Sequence, residues 1–207
     1  MTSPQVPGKV WASAGAAVLA IVAGVFAVEG GYVNNQADPG GETNHGVTVA
    51  VAREHGYQGP MRELPKATAQ RIYTQDYIER PGFHSVILLS PALGEKLVDA
   101  GVNAGPGRSA RWLQQALNQL SRGGADFPLV TVDGNIGFQT LAAYQALERK
   151  RGRVKACELT LKLMDVQQGA HYMRQNKPMF IVGWADNRLG NVPLARCGES
   201  VAKGPTP

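Results

Sequence analysis

"FAVEGGYVNNQADPGGETNHGVT" runs from Phe26 to Thr48. It opens as the end of an apolar stretch and turns polar at a single acid, Glu29. Two glycine pairs, Gly30-Gly31 and Gly40-Gly41, bracket a second acid, Asp38, and Thr43 stands five residues beyond it. Glycine pairs permit sharp backbone bends. Pro39 fixes its own φ and holds Asp38 out of the α region. A glutamate at a helix end and an aspartate on the following turn are then able to face each other across a cleft. Cleaving a glycosidic bond needs such a pair: one carboxylic acid protonated, to donate to the leaving oxygen, and one ionised, to activate water or stabilise charge on the sugar. An apolar helix ahead of Glu29 favours its protonated form by desolvation, and a polar glycine turn keeps Asp38 ionised. The hydroxyl of Thr43 helps hold the attacking water. Spacing alone is weak, because most such acid pairs are solvated surface charges.

Upstream, Val10 to Val28 holds nineteen residues without a charge. As one helix they would reach about 28 Å, close to one hydrocarbon core. Lys9 supplies a thin positive-inside signal. Alanine and glycine fill much of the run, so insertion into a bilayer is expected to be marginal. Three readings stand side by side: a permanent anchor, a signal peptide cleaved after "VFA", and a weak anchor that enters the membrane and later leaves it. Cleavage after Ala27 would leave Glu29 on a frayed terminus, where a catalytic acid is poorly held. An uncleaved segment is therefore expected.

Downstream, helical periods dominate. Ala69, Ile72 and Tyr73, with Tyr77, share a face behind Pro65, a residue suited to a first helical turn. Leu93, Leu97 and Val98 form a second stripe, and Leu113, Ala116, Leu117 and Leu120 a third. Leu141, Tyr144 and Leu147 follow. Leu159, Leu163, Val166, Ala170 and Met173 are expected to line the buried face of a further helix. "GYVNN" and "GETNHGVT" read as a short hairpin after Glu29, and "FPLVTVDGNIG" as weak β-propensity running into a turn. The fold class is mainly α, with an N-terminal apolar helix and a small β element after the glutamate.

The chain has 207 residues and a formal net charge of +5. A basic surface favours acidic partners. The one dense basic cluster, "ERKRGRVK" from Glu148 to Lys155, follows a helical run and reads as a solvated helix end, so no nucleic-acid partner is expected. Cys157 and Cys197 lack metal-ligand spacing, and the four histidines form no pair, so no metal site and no cofactor are expected. The cysteines are either a disulfide closing a loop of about forty residues or two unpaired thiols. "DGNIG" reads as a turn rather than a calcium loop. Thr48 reads as an N-cap, while Trp112 and Trp184 suit either a core or a carbohydrate platform.

The motif from Glu29 to Thr48 resembles the opening of glycoside hydrolase family 108, the N-acetylmuramidases often found as phage endolysins. That opening runs approximately E-G-G-Y-V-N-D-P-x-D-P-G-G-x-T-x-x-G-I-T. Glu29, Gly30, Gly31, Tyr32, Val33, Asn34, Asp38, Pro39, Gly40, Gly41, Thr43, Gly46 and Thr48 fall on it, and Asn35 and Gln36 depart from it. The likeness continues through "AVAREHGY" (Ala50 to Tyr57). From Leu93, "LGEKLVDAGVNAGPGRSARWLQQALNQL" and "VDGNIGFQTLAAY" resemble the predicted peptidoglycan-binding segment of such proteins.

The resemblance implies a lysozyme-like helical fold that hydrolyses peptidoglycan, with Glu29 as general acid and Asp38 and Thr43 as its partners. Tyr32, His45 and Asn103 are candidate sugar contacts, with alternatives open for each: Tyr32 as packing under the cleft, His45 as a surface or hydrogen-bonding residue, and Asn103 as a cap. The implied organisation is a tail and membrane segment over 1–28, a muramidase region over 29–92, a peptidoglycan-binding region over 93–175 and an extension over 176–207. The N-terminal run looks like a signal-arrest-release segment that holds a monomeric enzyme inactive at the inner membrane of an infected bacterium before release to the periplasm. A tethered peptidoglycan-binding protein without hydrolysis is the alternative from another class, and a lytic transglycosylase the alternative reaction.

Overall fold

A computed structural model describes residues 9–28, 31–34 and 41–202. The helix preceding the acid comes first in the packing. Helix α1 (Ala14–Val28) buries Ala17, Val18, Ile21 and Val22, a stripe at helical spacing, against later helices. These are α3 (Lys66–Thr74), α4 (Phe83–Leu89) and α5 (Pro91–Ala104).

The expected nineteen-residue helix over Val10–Val28 is not formed. Val10–Trp11 is instead strand β1, and the helix is fifteen residues, roughly 22 Å at 1.5 Å per residue. No helix among the described residues is long and apolar enough to cross a membrane. The cause is a non-local pairing. β1 lies parallel to β4 (Ser200–Val201), with Ser200 N–H donating to the Lys9 carbonyl at 3.0 Å and Ala202 N–H to that of Trp11 at 2.8 Å. Trp11 Nε1 also donates to Glu199 at 3.0 Å.

Helix α5 occupies the centre. Pro91 at its first turn and Gly105, at φ 93°, bound it. Leu93, Leu97, Val98 and Ala100 are fully enclosed. Gly94 lies so close to α4 that an added Cβ would sit 2.8 Å from the Ile87 Cα. Helix α6 (Pro106–Leu120) turns back onto α5 and buries Leu113, Ala116 and Leu117, as its stripe implied. Trp112 belongs to this core. Helices α7 (Phe138–Arg151) and α8 (Arg153–Gln175) close over α6. One contiguous apolar core runs from Ala17 to Cys197.

Helix α8 turns a different face inward from the one expected. Its buried residues are Ala156, Cys157, Thr160, Leu161, Met164, Gln168 and Tyr172, while Val166 and Met173 are exposed. Polar Thr160 and Gln168 are tied in the interior through their donors: Thr160 Oγ1 donates to the Ala156 carbonyl, and Gln168 Nε2 to the Tyr172 hydroxyl, while the buried Gln168 Oε1 has no partner among the described residues. Helix α9 (Pro178–Arg188) buries none of its residues, although Trp184 stacks between Tyr172 and Phe180.

The tail is held by covalent and ionic ties. Cys157 and Cys197 are disulfide-bonded, which settles the alternative left open by the sequence. Lys96, buried in α5, donates to the Arg188 carbonyl at 2.8 Å and pairs with Asp165. Among the described residues, nine α-helices and two two-stranded sheets make a mainly α protein, consistent with a lysozyme-like fold.

Candidate active site

Glu29 and Asp38 lie outside the described residues, and the structure defines what flanks them. The residue before Glu29 is Val28, the last of α1, whose preceding turns are anchored in the core. Beyond the glutamate, Val33 and Thr43 form an antiparallel bridge, exchanging N–H···O bonds of 2.8 and 2.9 Å. That bridge closes the nine-residue segment 34–42, with Asp38 at its midpoint in sequence.

Thr43 is the pivot of this frame. It starts strand β2 (Thr43–Asn44), which pairs with β3 (Val47–Thr48) in the register Thr43 to Thr48 and Asn44 to Val47. Thr43 therefore has backbone partners on both sides and is half-buried. The two-residue connection, His45-Gly46, has positive φ at both positions, 51° and 71°, the pattern of the tight turn that suits the twist of paired strands. This places His45 at the hairpin tip, half-buried. Thr48 then caps α2 (Val49–Glu54), its hydroxyl accepting from Val51 N–H at 3.3 Å.

Side chains tie the hairpin to the body. Asn44, 5 % exposed, donates through Nδ2 to the carbonyls of Met61 at 2.8 Å and Arg62 at 3.2 Å. The Arg62 guanidinium in turn lies 4.4 Å from the ring centre of half-buried Tyr32. Such a contact contributes about 0.5–1 kcal/mol at an exposed site. Tyr32 and Thr43 are thus secured through the same 3-10 turn, Met61–Glu63. Sequence reasoning missed both Asn44 and Arg62. The first carried a faint signal, an amide ahead of His-Gly in a hairpin; the second carried none, because its partner is thirty residues away.

Asn103 is placed elsewhere. Near the end of α5, its Oδ1 accepts from the Tyr172 hydroxyl at 2.7 Å, and that hydroxyl accepts from Gln168 at 2.6 Å. This chain joins α5 to α8. Burial, opposed by the Gln168 bond, leaves the Tyr172 phenol pushed up to about 12, so it stays a donor at neutral pH. The structure thus brings Tyr32, Thr43 and His45 together on one hairpin frame and gives the Asn103 oxygen an internal partner. No group of three or more metal-ligating side chains occurs among the described residues.

Comparison with known proteins fits this division. Residues 22–105 match the family model described as glycosyl hydrolase 108, and residues 108–189 match one described as "Predicted Peptidoglycan domain". The two meet at the α5–α6 turn. The comparison with curated proteins found no match. Among solved structures, that of Brucella abortus SagA is similar, at 24 % identity over 86 % of this chain and 91 % of that one, with a TM-score of 0.59. That likeness is one of fold.

Proposed function

We propose that this chain, a glycoside hydrolase acting on peptidoglycan whose residues 22–105 match the glycosyl hydrolase 108 model, is an N-acetylmuramidase with Glu29 as the general acid. The observation that carries this reading is the mounting of the motif. A core-anchored helix leads directly to position 29, and a doubly bonded hairpin holds Thr43 at the end of the loop that contains Asp38.

In this reading the Glu29 proton passes to the glycosidic oxygen as the bond from the muramic acid anomeric carbon breaks. Water adds to that carbon and loses its proton to the base. Asp38 stabilises the developing positive charge or takes that proton, and Thr43 orients the water. Tyr32 and His45 contact the sugar from the hairpin. Mass spectrometry of digested wall tests the reaction. Reducing N-acetylmuramic acid ends support it; reducing N-acetylglucosamine or anhydro ends refute it.

The reading extends to localisation: the N-terminal segment is held in the inner membrane and released to the periplasm, where it folds as α1. Support comes from the character of this helix. It is apolar all round, yet Leu19 is 63 % exposed and Ala23 and Gly24 face solvent. An all-round apolar helix ordinarily belongs to an interior or a bilayer. The packed state tolerates a direct test, because a Cβ at Gly24 meets nothing within 4 Å and one at Gly15 makes only an ordinary contact with Ser13. The double variant Gly15→Leu/Gly24→Leu is expected to fold in vitro and to fractionate with membranes in cells. Partitioning and lysis timing identical to the parent would end the release reading.

A further inference from the structure

The second half of the chain carries two adjoining depressions that share Phe138 and Gln139. The larger, a cavity of about 300 Å³, lies between segment 127–130 and the side of α7 that presents Ala142, Ala143 and Ala146, with Arg149 at its margin. The smaller, about 200 Å³, is lined by Gln114, Asp133, Asn135 and Thr140 among others. Phe138, on the border between them, is 85 % exposed, and Leu129 on the opposite wall is 58 % exposed. Two large exposed apolar side chains lining one cavity mark a surface built to be covered.

The walls are set in advance. Asn118 clamps Val130 with two bonds of 2.8 Å, one to its carbonyl and one from its N–H. Asp126, at the other end of that wall, receives Arg122, Lys150 and Arg151. Gln114 fixes the polar end: its Oε1 accepts from Gly134 N–H at 2.9 Å, and its Nε2 donates to Asp133 Oδ1 at 2.8 Å and to the Asn135 carbonyl at 2.9 Å. The Asn135 N–H and Gln114 hold the exposed Asp133 carboxyl below its ordinary range, so it is ionised at neutral pH. Preset walls reduce the ordering cost of binding.

Charge selects the occupant. The last turn of α7 carries three cations in a row. Lys150 and Arg151 are spent on Asp126, whereas Arg149, at the groove, forms no salt bridge among the described residues and only feels the neighbouring Glu148 carboxyl. The groove is an alanine-floored apolar slot with a guanidinium at its margin and an adjoining pocket lined by a carboxylate. A glycan strand presents hydroxyls and acetamides along its length and would leave them unpaired on this floor. The stem peptides of peptidoglycan present small methyl side chains, free carboxylates and the ammonium of a diamino acid.

We propose that this groove is the wall-recognition site and that it takes the stem peptide: methyl groups on the alanine floor beneath Phe138, a carboxylate at Arg149, and the ammonium toward Asp133. The proposal rests on the peptidoglycan reading of this half and adds the ligand and its contacts. Its test is titration of the full-length protein with a labelled synthetic stem pentapeptide ending in D-alanyl-D-alanine, followed by anisotropy. Saturable binding is expected, weakened about tenfold or more by Phe138→Ala and by Arg149→Ala. Both side chains are exposed, and unchanged thermal unfolding of each variant verifies the fold. A peptide with its terminal carboxylate converted to an amide should bind the parent as weakly as the carboxylate peptide binds Arg149→Ala, with no further loss when the two changes are combined. A tetramer of N-acetylglucosamine should not compete. Absence of peptide binding, equal binding by both variants, or displacement by the sugar tetramer overturns the proposal. Glu29→Gln separates the two readings: if it stays inactive while peptide binding fails, the groove is wrong and the acid stands. If it hydrolyses wall while the peptide binds as described, the acid is wrong and the groove stands.

Discussion

Ile21→Ala against Leu19→Ala tests whether α1 is structural in the folded protein. The two residues stand two positions apart on one helix, yet Ile21 is 4 % exposed and Leu19 is 63 % exposed. Truncating a buried isoleucine removes its transfer free energy and leaves a cavity, a loss of about 2–5 kcal/mol. Truncating an exposed leucine changes stability by about 0.5 kcal/mol or less. Alanine is the best helix former, so propensity opposes rather than causes the loss. At roughly 2–4 °C per kcal/mol for a domain of this size, Ile21→Ala should lower Tm by about 4–20 °C and Leu19→Ala by about 2 °C at most. The assay is thermal unfolding of the full chain by circular dichroism, paired with wall clearing below both transitions. Equal small shifts would refute the reasoning, since α1 would then lie off the core.

Other outcomes follow from particular contacts. Replacing Cys157 and Cys197 together by alanine should cost about 4 kcal/mol by loop-entropy reasoning for a forty-residue closure, read as a lowered urea midpoint that matches the reduced parent. Asn44→Ala leaves the Met61 and Arg62 carbonyls without their donor and should cost about 1–3 kcal/mol. It should also slow clearing more than unfolding explains, because the hairpin holding Thr43 loses its tie. Asp126 is held well below the ordinary carboxylate range, first by its bond to Arg122 and further by Lys150. Its folded pKa is depressed, so its contribution is full above about pH 4 and is lost as pH falls through the folded value. The stability gap between the parent and Asp126→Asn should therefore be constant from pH 7 to 5 and shrink only in stronger acid; a gap that closes near neutrality contradicts the clamp.

The sequence was legible where apolar residues repeat cleanly. The stripes of α3, α5 and α6 lie where the spacing of Ala69-Ile72-Tyr73, Leu93-Leu97 and Leu113-Leu117 implied. It misled on α8, whose buried face includes Thr160, Gln168 and Tyr172, whose donors bond one another, backbone or Asn103. Counting apolar residues alone selected the solvent side, with Val166 and Met173. The N-terminal run conveyed hydrophobicity but not its limit, because the limit is set by a pairing between Val10 and Ser200 at the far end of the chain. Around the site, the hairpin and the Thr48 cap were readable as local chemistry. The Asn44 and Arg62 ties, and the partner of Asn103 sixty-nine residues away, are tertiary and left no local trace. The groove under Phe138 was hidden for the same reason, since "FPLVTVDGNIG" becomes a wall only when α6 and α7 meet it.

The most direct test of the account is the rate of reducing-end release from purified wall by Glu29→Gln, measured beside its wall binding and thermal unfolding. A general acid contributes about 10²- to 10⁴-fold. The account predicts a loss of at least about a hundredfold, with binding and Tm preserved. Release within a few-fold of the parent by a folded, wall-bound variant would contradict it.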